Sequence, residues 1–275
     1  MLRYPGGKLR LQKKINEMIA DFYPDSNSDW VVGEPFTGGG GSLINMAERF
    51  PKWKFHINDA NPQMYKFWRF FVSASDKDME KFYKRLEDTK PTLKSYNDMF
   101  DSKPRSDFDS AFRIFFLNKT SFGGYVTQKL PIGGKEQKSK WKVDVYWTPK
   151  NMIKKIKRMR DSIKGRILSV NMEDCNDFMK KHGKSMDFMY ADPPYIKYGK
   201  QWYKCDFDMQ SLRDFRDSLD GIPRWCISMD SLKETDALFS KDDMRTVPVK
   251  HTAKSMGKGN EIKEAKELVV FPNNT

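Results

Sequence analysis

One short stretch of this chain combines residue types that suit a single kind of chemistry. Asp192-Pro193-Pro194-Tyr195 follows directly on the apolar run from Met186 to Ala191. The Asp192 carboxylate accepts hydrogen bonds. The two prolines have a fixed φ and no N–H, so the turn is stiff and offers carbonyl acceptors only. Tyr195 adds a ring face. In open α/β sheets, ligands bind beyond the carboxyl ends of the strands, which is where this tetrapeptide falls. A flat ring with an exocyclic amino group suits it: the carboxylate and a carbonyl take the amino hydrogens while the tyrosine stacks on the ring. Asp and Pro are also ordinary turn residues. The rest of the chain decides between a site and a plain turn.

Three more segments carry chemistry. Phe36-Thr37-Gly38-Gly39-Gly40-Gly41-Ser42 follows the apolar segment Trp30 to Glu34. Glycines let a backbone turn tightly and approach a ligand closely. The loop is not a phosphate-cradling P-loop, since no Gly-Lys-Ser/Thr follows, and it is not G-x-G-x-x-G, since position 43 is Leu. Asp59 ends the next apolar segment, roughly 20 residues beyond the loop, where such folds place an acid against ribose hydroxyls. Arg3-Tyr4-Pro5-Gly6-Gly7-Lys8 sets a Gly-Gly turn between an aromatic ring and an ammonium group. The histidines (His56, His182, His251) and cysteines (Cys175, Cys205, Cys226) are scattered, without C-x-x-C or H-E-x-x-H. That pattern predicts no metal site, no disulfide framework and a reducing cytoplasm.

The elements that must position these residues follow from periodicity. Lys8 to Phe22 reads as an amphipathic helix, with Leu9, Ile15, Met18, Ile19 and Phe22 near helical spacing. Trp30 to Phe36 is a strand running into the glycine loop, Leu43 to Phe50 a helix, Lys54 to Asp59 a strand, and Pro62 to Ser73 a helix. Asn151 to Ser162 and Asp174 to Lys181 read as helices. Arg166 to Val170, Phe188 to Ala191, Trp225 to Met229 and Leu268 to Phe271 read as strands. This order predicts an α/β, doubly wound, Rossmann-like sheet built from residues 1–74 and 150–275. Residues 75–149 are predicted as an insertion. Its first part is charged and helical, then Phe108 to Leu117 forms an aromatic helix with Phe112, Phe115 and Phe116 in the core. From Asn118 a loop or hairpin follows, rich in glycine and lysine.

The chain has 275 residues and a net charge of +13, which calls for a polyanionic partner, most simply nucleic acid. With 38% hydrophobic residues there is enough for one large core. No apolar run approaches the ~20 residues that span a membrane. The N-terminus lacks the apolar stretch of a secretory signal, so the expectation is a cytoplasmic protein without a membrane partner.

Taken in order, these segments resemble the Dam-like, or D12 class, DNA adenine N6-methyltransferases. That family opens with K/R-aromatic-x-G-G-K, matched by Arg3 to Lys8, and continues with E-P-F-x-G-x-G, matched by Glu34 to Gly40. It has N-D at a strand end, matched by Asn58-Asp59, and then D-P-P-Y at Asp192 to Tyr195. The resemblance covers nearly the whole chain. It implies S-adenosylmethionine as methyl donor and double-stranded DNA as substrate, with a cognate restriction endonuclease as a further partner it allows. It assigns Tyr4 and Lys8 to the donor and the edge of the active site, Phe36, Gly38 and Gly40 to the donor's methionine part, and Asp59 to the ribose. Asn171 and Met172 fall at the donor-adenine contact, with Asp174, or Asp177 and Phe178, as an alternative register. Asp192 lies near donor and base alike.

Leu117 to Gly124 resembles the family's L-N-R-T-x-F-N-G, and Gln128 to Gly133 its F-N-V-P-F-G. The resemblance thus implies a helical and hairpin DNA-recognition insertion, with Asn118, Lys119, Tyr125, Thr127, Lys129, Lys135 and Lys138 on the DNA side. Where relatives carry an Arg-Tyr-Asn-like element, this chain has Tyr125-Val126-Thr127. The missing arginine removes a bidentate reader of guanine, so a GATC target does not follow. The mechanism it implies is direct transfer to a flipped adenine, with Asp192, Pro193, Pro194 and Tyr195 as the catalytic set. N4 of cytosine is the chemically nearest alternative target, although Ser is then usual in place of Asp192. A DNA-binding protein without catalysis on the same scaffold is another. A C5-cytosine mechanism would need a Pro-Cys nucleophile, and the chain has none.

Overall fold

Seven strands form one sheet: β1 (Val31–Glu34), β2 (Lys54–Asn58), β3 (Ile167–Asn171), β4 (Phe188–Ala191), β5 (Trp225–Asp230), β6 (Asp243–Lys250) and β7 (Glu264–Phe271). The computed structural model describes residues 2, 11–196, 207–250 and 264–273. The strand order is β3-β2-β1-β4-β5-β7-β6. Neighbours from β3 to β5 are parallel, while β7 runs antiparallel to both β5 and β6. The carboxyl ends of β1 to β5 therefore share one edge. Strand order reverses between β1 and β4, which opens the crevice where such sheets hold ligands.

Alternation along the strands explains why both faces are covered. On β4, Phe188 and Tyr190 join one buried cluster, and Met189 and Ala191 the other. On β5, Cys226 faces the first cluster while Trp225, Ile227 and Met229 face the second. On β7, Val269 and Phe271 face the first, and Leu268 and Val270 the second. A strand buried on both faces reads as a continuous apolar run, which is the pattern of Phe188 to Ala191.

The described helices are α1 (Leu11–Phe22), α2 (Gly41–Arg49), α3 (Pro62–Ser73), α4 (Asp76–Asp88), α5 (Leu93–Asp101), α6 (Asp107–Thr120), α7 (Pro149–Ile163), α8 (Cys175–His182), α9 (Met209–Asp217) and α10 (Lys233–Leu238). Their starts are chemically marked. The Asn61 side chain accepts from the Gln63 N–H, with Pro62 in the first turn of α3. Ser75 and Ser106 cap α4 and α6 in the same way. Helices α1 to α7 cover the first face, and α8 and α9 the second. On the first face α1 also carries two buried polar residues. Gln12 accepts from the Tyr190 hydroxyl at 3.0 Å, and Asn16 donates to the Asn45 carbonyl at 3.1 Å. The helix entering the fold is thereby fixed to the central strand and to α2.

One sequence expectation changes. Helix α6 runs on through Asn118 and Lys119 to Thr120, because its last turn is buried as fully as the rest. The segment expected as a loop or hairpin is a loop, tied by an antiparallel bridge between Ser121 and Pro131 and followed by turns. Met79, Phe82, Leu86, Tyr96, Phe112 and Phe116, all within 75–149, lie in the same cluster as Phe67 and Phe71 of α3. That segment thus packs on the same buried cluster as α3. Strand β6 and helices α9 and α10 were not anticipated.

Candidate active site

The residues at the switch point are acidic. Glu34 ends β1 and is fully buried, and among the described residues neither carboxyl oxygen has a hydrogen-bond partner. Burial, and then the nearby Asp192 and Asp59 carboxyls, push its pKa well above the carboxylate range. Asp192, half-buried, follows β4, and Asp59 follows β2. Carboxyl groups thus stand at the ends of three adjacent parallel strands.

Asp59 is fixed by backbone. Oδ2 accepts from the Gly38 N–H at 2.8 Å, and Oδ1 from the Asn61 N–H at 2.9 Å. A carboxylate has about four lone-pair positions, so each oxygen keeps an acceptor position. Burial raises its pKa to about 6, against the lowering effect of those two N–H groups.

The glycine loop is held from below. Thr37 N–H donates to the Asn58 carbonyl at 2.9 Å, Gly40 N–H to the Thr37 carbonyl at 2.8 Å, and the Trp68 indole N–H to the Gly38 carbonyl at 2.8 Å. Gly40 sits at φ +67°, and a Cβ there would lie 2.1 Å from the buried Trp68 ring. Only glycine satisfies both the left-handed backbone and that contact. Asn58 ties three strand ends together. Its amide donates to the carbonyls of Pro35 and Glu173, both at 3.0 Å, and accepts from the Glu173 N–H at 2.9 Å.

Other expected donor contacts divide. Phe36 is half-buried and meets Phe207 and Phe215 edge to face, at 5.4 and 5.2 Å between centroids. The buried Asn171 amide bonds to the Ile57 carbonyl at 3.1 Å and the Ser169 hydroxyl at 2.7 Å, so it closes the end of β3. Met172, next along, is 48% exposed. The Asp59 N–H donates to the Asn171 carbonyl at 3.3 Å, which brings the backbone leading into Met172 next to that of Asp59. In the alternative register, Asp174 caps α8 and Phe178 is fully buried. Tyr4 and Lys8 lie outside the described residues.

Pro193 is buried and Pro194 half-buried. Tyr195 is 7% exposed, and its hydroxyl donates to Glu267 Oε2 at 3.2 Å.

The candidate DNA residues also divide. Asn118 and Lys119 are buried. Asn118 donates to the Gly124 carbonyl at 3.0 Å, and the Lys119 ammonium lies 5.3 Å from the Phe115 ring centroid. Asn118 thereby ties the end of α6 to the loop from within. Tyr125 and Thr127 are half-buried, whereas Lys129, Lys135 and Lys138 are exposed. Lys129 pairs with Asp101 at 2.7 Å and Lys138 with Glu136 at 2.6 Å. Gln137, unanticipated, organises this loop from a left-handed φ of 50°. Its amide donates to the Ile132 and Gly134 carbonyls, each at 2.7 Å, and accepts from the Val143 N–H at 2.9 Å. Around it Phe122, Trp141 and Tyr146 are more than half exposed.

The sheet order, the glycine loop after β1 and the acid after β2 define a Rossmann-like methyltransferase fold. A family model, D12 class N6 adenine-specific DNA methyltransferase, matches residues 4–256, and the chain belongs to that family. It is an enzyme that methylates adenine N6 in DNA. A comparison with the curated proteins returns no match. Among the described residues, no group of three or more His, Cys, Asp or Glu could hold a metal ion, and no helix is long and apolar enough to cross a membrane.

Proposed function

We propose that transfer takes place at the carboxyl ends of β1 and β4, from S-adenosylmethionine to an adenine swung out of duplex DNA. The observation that carries this reading is the meeting at one sheet edge of the Gly38–Gly40 loop, Asp59, Glu34 and Asp192.

The residues present fit that donor. Asp59 keeps an acceptor position on each oxygen for a ribose diol. Met172, exposed at the end of the neighbouring strand, would offer an apolar face for the donor's adenine ring. The buried Glu34 carboxyl, without a hydrogen-bond partner among the described residues, would complement a cationic ligand, since a buried charge is tolerated only when it is paired. The Gly38–Gly40 backbone, free of side chains, would take the methionine part. When bound, the donor supplies an electrophilic methyl group on a sulfonium.

Asp192 and the Pro193 carbonyl would accept the two amino hydrogens of the target adenine, as the stiff, donor-free turn allows. Adenine N6 is a weak nucleophile because its lone pair is delocalised into the ring. Hydrogen bonds to a carboxylate favour a more tetrahedral, electron-rich nitrogen and turn its lone pair toward the methyl. Asp192 would also take up the proton that nitrogen must release. Tyr195 would hold the ring by stacking. The rate enhancement comes mainly from orientation.

Flipping the base costs a few kcal/mol. Exposed Lys129, Lys135 and Lys138 would offset part of that through phosphate contacts, with Tyr125 and Thr127 nearer the bases. Incubating duplex DNA with the enzyme and donor, then analysing nucleosides by mass, tests the reading: N6-methyladenine is expected. N4-methylcytosine as the product would refute it.

A further inference from the structure

The contact between Tyr195 and Glu267 joins the Asp-Pro-Pro-Tyr turn to a strand 72 residues further along the chain. Glu267 is 3% exposed and lies on β7, directly opposite Asp230 of β5 and Val247 of β6. A carboxyl group rarely occupies so buried a strand position without a task. Here it accepts from the Tyr195 hydroxyl at 3.2 Å. Burial, with Glu267, Asp192 and Asp230 close by, raises the tyrosine pKa far above its ordinary value. The hydroxyl therefore stays protonated and remains a donor at every working pH. The ring is held at both ends, by the proline-stiffened backbone at Cα and by the carboxyl at the para position. A tyrosine anchored only at its backbone could still turn about its side-chain bonds. One also gripped at the hydroxyl has a single ring plane.

We infer that Glu267 is a positioning residue for base stacking: by holding the Tyr195 hydroxyl it sets the plane on which the flipped adenine lies, and so aligns the amino group with Asp192. This rests on the reading that Tyr195 stacks on the target base. It explains why an acidic side chain is kept inside the sheet next to other carboxyls. Gains of this kind come from orientation alone, and displacement by about 1 Å can cost on the order of a hundredfold in rate.

Single-turnover methylation, donor affinity by calorimetry, and fluorescence of a duplex with 2-aminopurine at the target position test this in the full-length enzyme. Glu267→Leu removes the acceptor. It is expected to lower kcat roughly tenfold to a hundredfold, to leave donor affinity unchanged, and to brighten the flipped 2-aminopurine as stacking loosens. Glu267→Gln keeps an oxygen acceptor and should recover most of kcat. Tyr195→Phe should match Glu267→Leu, and the double variant should lose little more than either single one. If Glu267→Leu does not fold, Tyr195→Phe decides, since wild-type kcat there overturns the inference. Equal damage from Gln and Leu, or a loss confined to donor affinity, overturns it too. Tyr195→Ala separates the two ideas. Wild-type activity in Tyr195→Ala defeats the stacking reading itself. An inactive Tyr195→Ala beside a fully active Glu267→Leu defeats only the role of Glu267.

Discussion

The strand-end site and the loop from 121 to 148 are built on opposite principles. At the strand ends the groups that matter are carboxyls, Glu34, Asp59 and Asp192; the Gly38 and Asn61 N–H groups hold Asp59, while Asn58 and Trp68 hold the backbone of the loops around it. In the loop the groups that matter are exposed lysines and aromatic rings, and the turn is organised largely by one side chain, Gln137. The first region suits a small cationic donor in one geometry. The second suits a polyanion whose backbone it can follow. The difference teaches that one basic protein carries two electrostatic environments, and that each should fail separately.

The largest effect is expected at Gly40. Gly40→Ala forces a side chain into a left-handed conformation and against Trp68. It should cost about 2–3 kcal/mol of stability and abolish measurable donor binding, read by thermal melting and calorimetry. DNA affinity at low salt should survive wherever the protein remains folded.

Asp59→Asn comes next. Donor affinity should fall about tenfold or more, as one acceptor oxygen becomes an amide donor, with DNA affinity unchanged. The pH dependence follows from a pKa raised to about 6. Donor affinity should weaken as pH falls through about 6, because the protonated acid no longer accepts both hydroxyls. For the ligand-free protein the sign is opposite. The carboxyl favours the folded state fully below its ordinary value of 3.8, and that contribution is lost as pH rises through about 6. Asp59→Asn should remove both trends.

The combined variant Lys135→Gln, Lys138→Gln, Lys140→Gln addresses the other region. DNA affinity should fall, and the slope of log K against log salt should flatten by about one for each lysine that touches phosphate. Donor affinity should not move. Equal loss of donor and DNA binding would break the comparison. The smallest effect is expected from Gln137→Ala, which frees the loop without removing charge. A few-fold loss of DNA affinity with an unchanged salt slope would show that the loop's shape matters separately from its lysines.

The strand-end site was legible because its parts are local and chemically odd. Paired prolines after an apolar run, a glycine-rich turn and a strand-end acid each stand out, and β4 and α3 fell where periodicity put them. What escaped depends on distant partners. Glu34 belongs to a recognisable segment, yet nothing local says that both its oxygens lack a hydrogen-bond partner among the described residues. Glu267 reads as one more charge beside a C-terminal strand until β7 is laid against β5. Trp68 looks like any aromatic on a buried helix face until its indole meets the Gly38 carbonyl. The family resemblance put Asn118 and Lys119 on the DNA side, and α6 buries their whole turn. Gln137 carries no periodic signal, since its role is to satisfy turns on both sides of it.

The central claim is that Asp192 orients the adenine amino group for transfer. Wild type and Asp192→Ala, each incubated with duplex DNA and methyl-labelled donor, test it most directly. The account predicts N6-methyladenine from wild type and none above background from Asp192→Ala, with unchanged circular dichroism and at most a modest loss of donor affinity. N6-methyladenine formed by Asp192→Ala at the wild-type rate would contradict it.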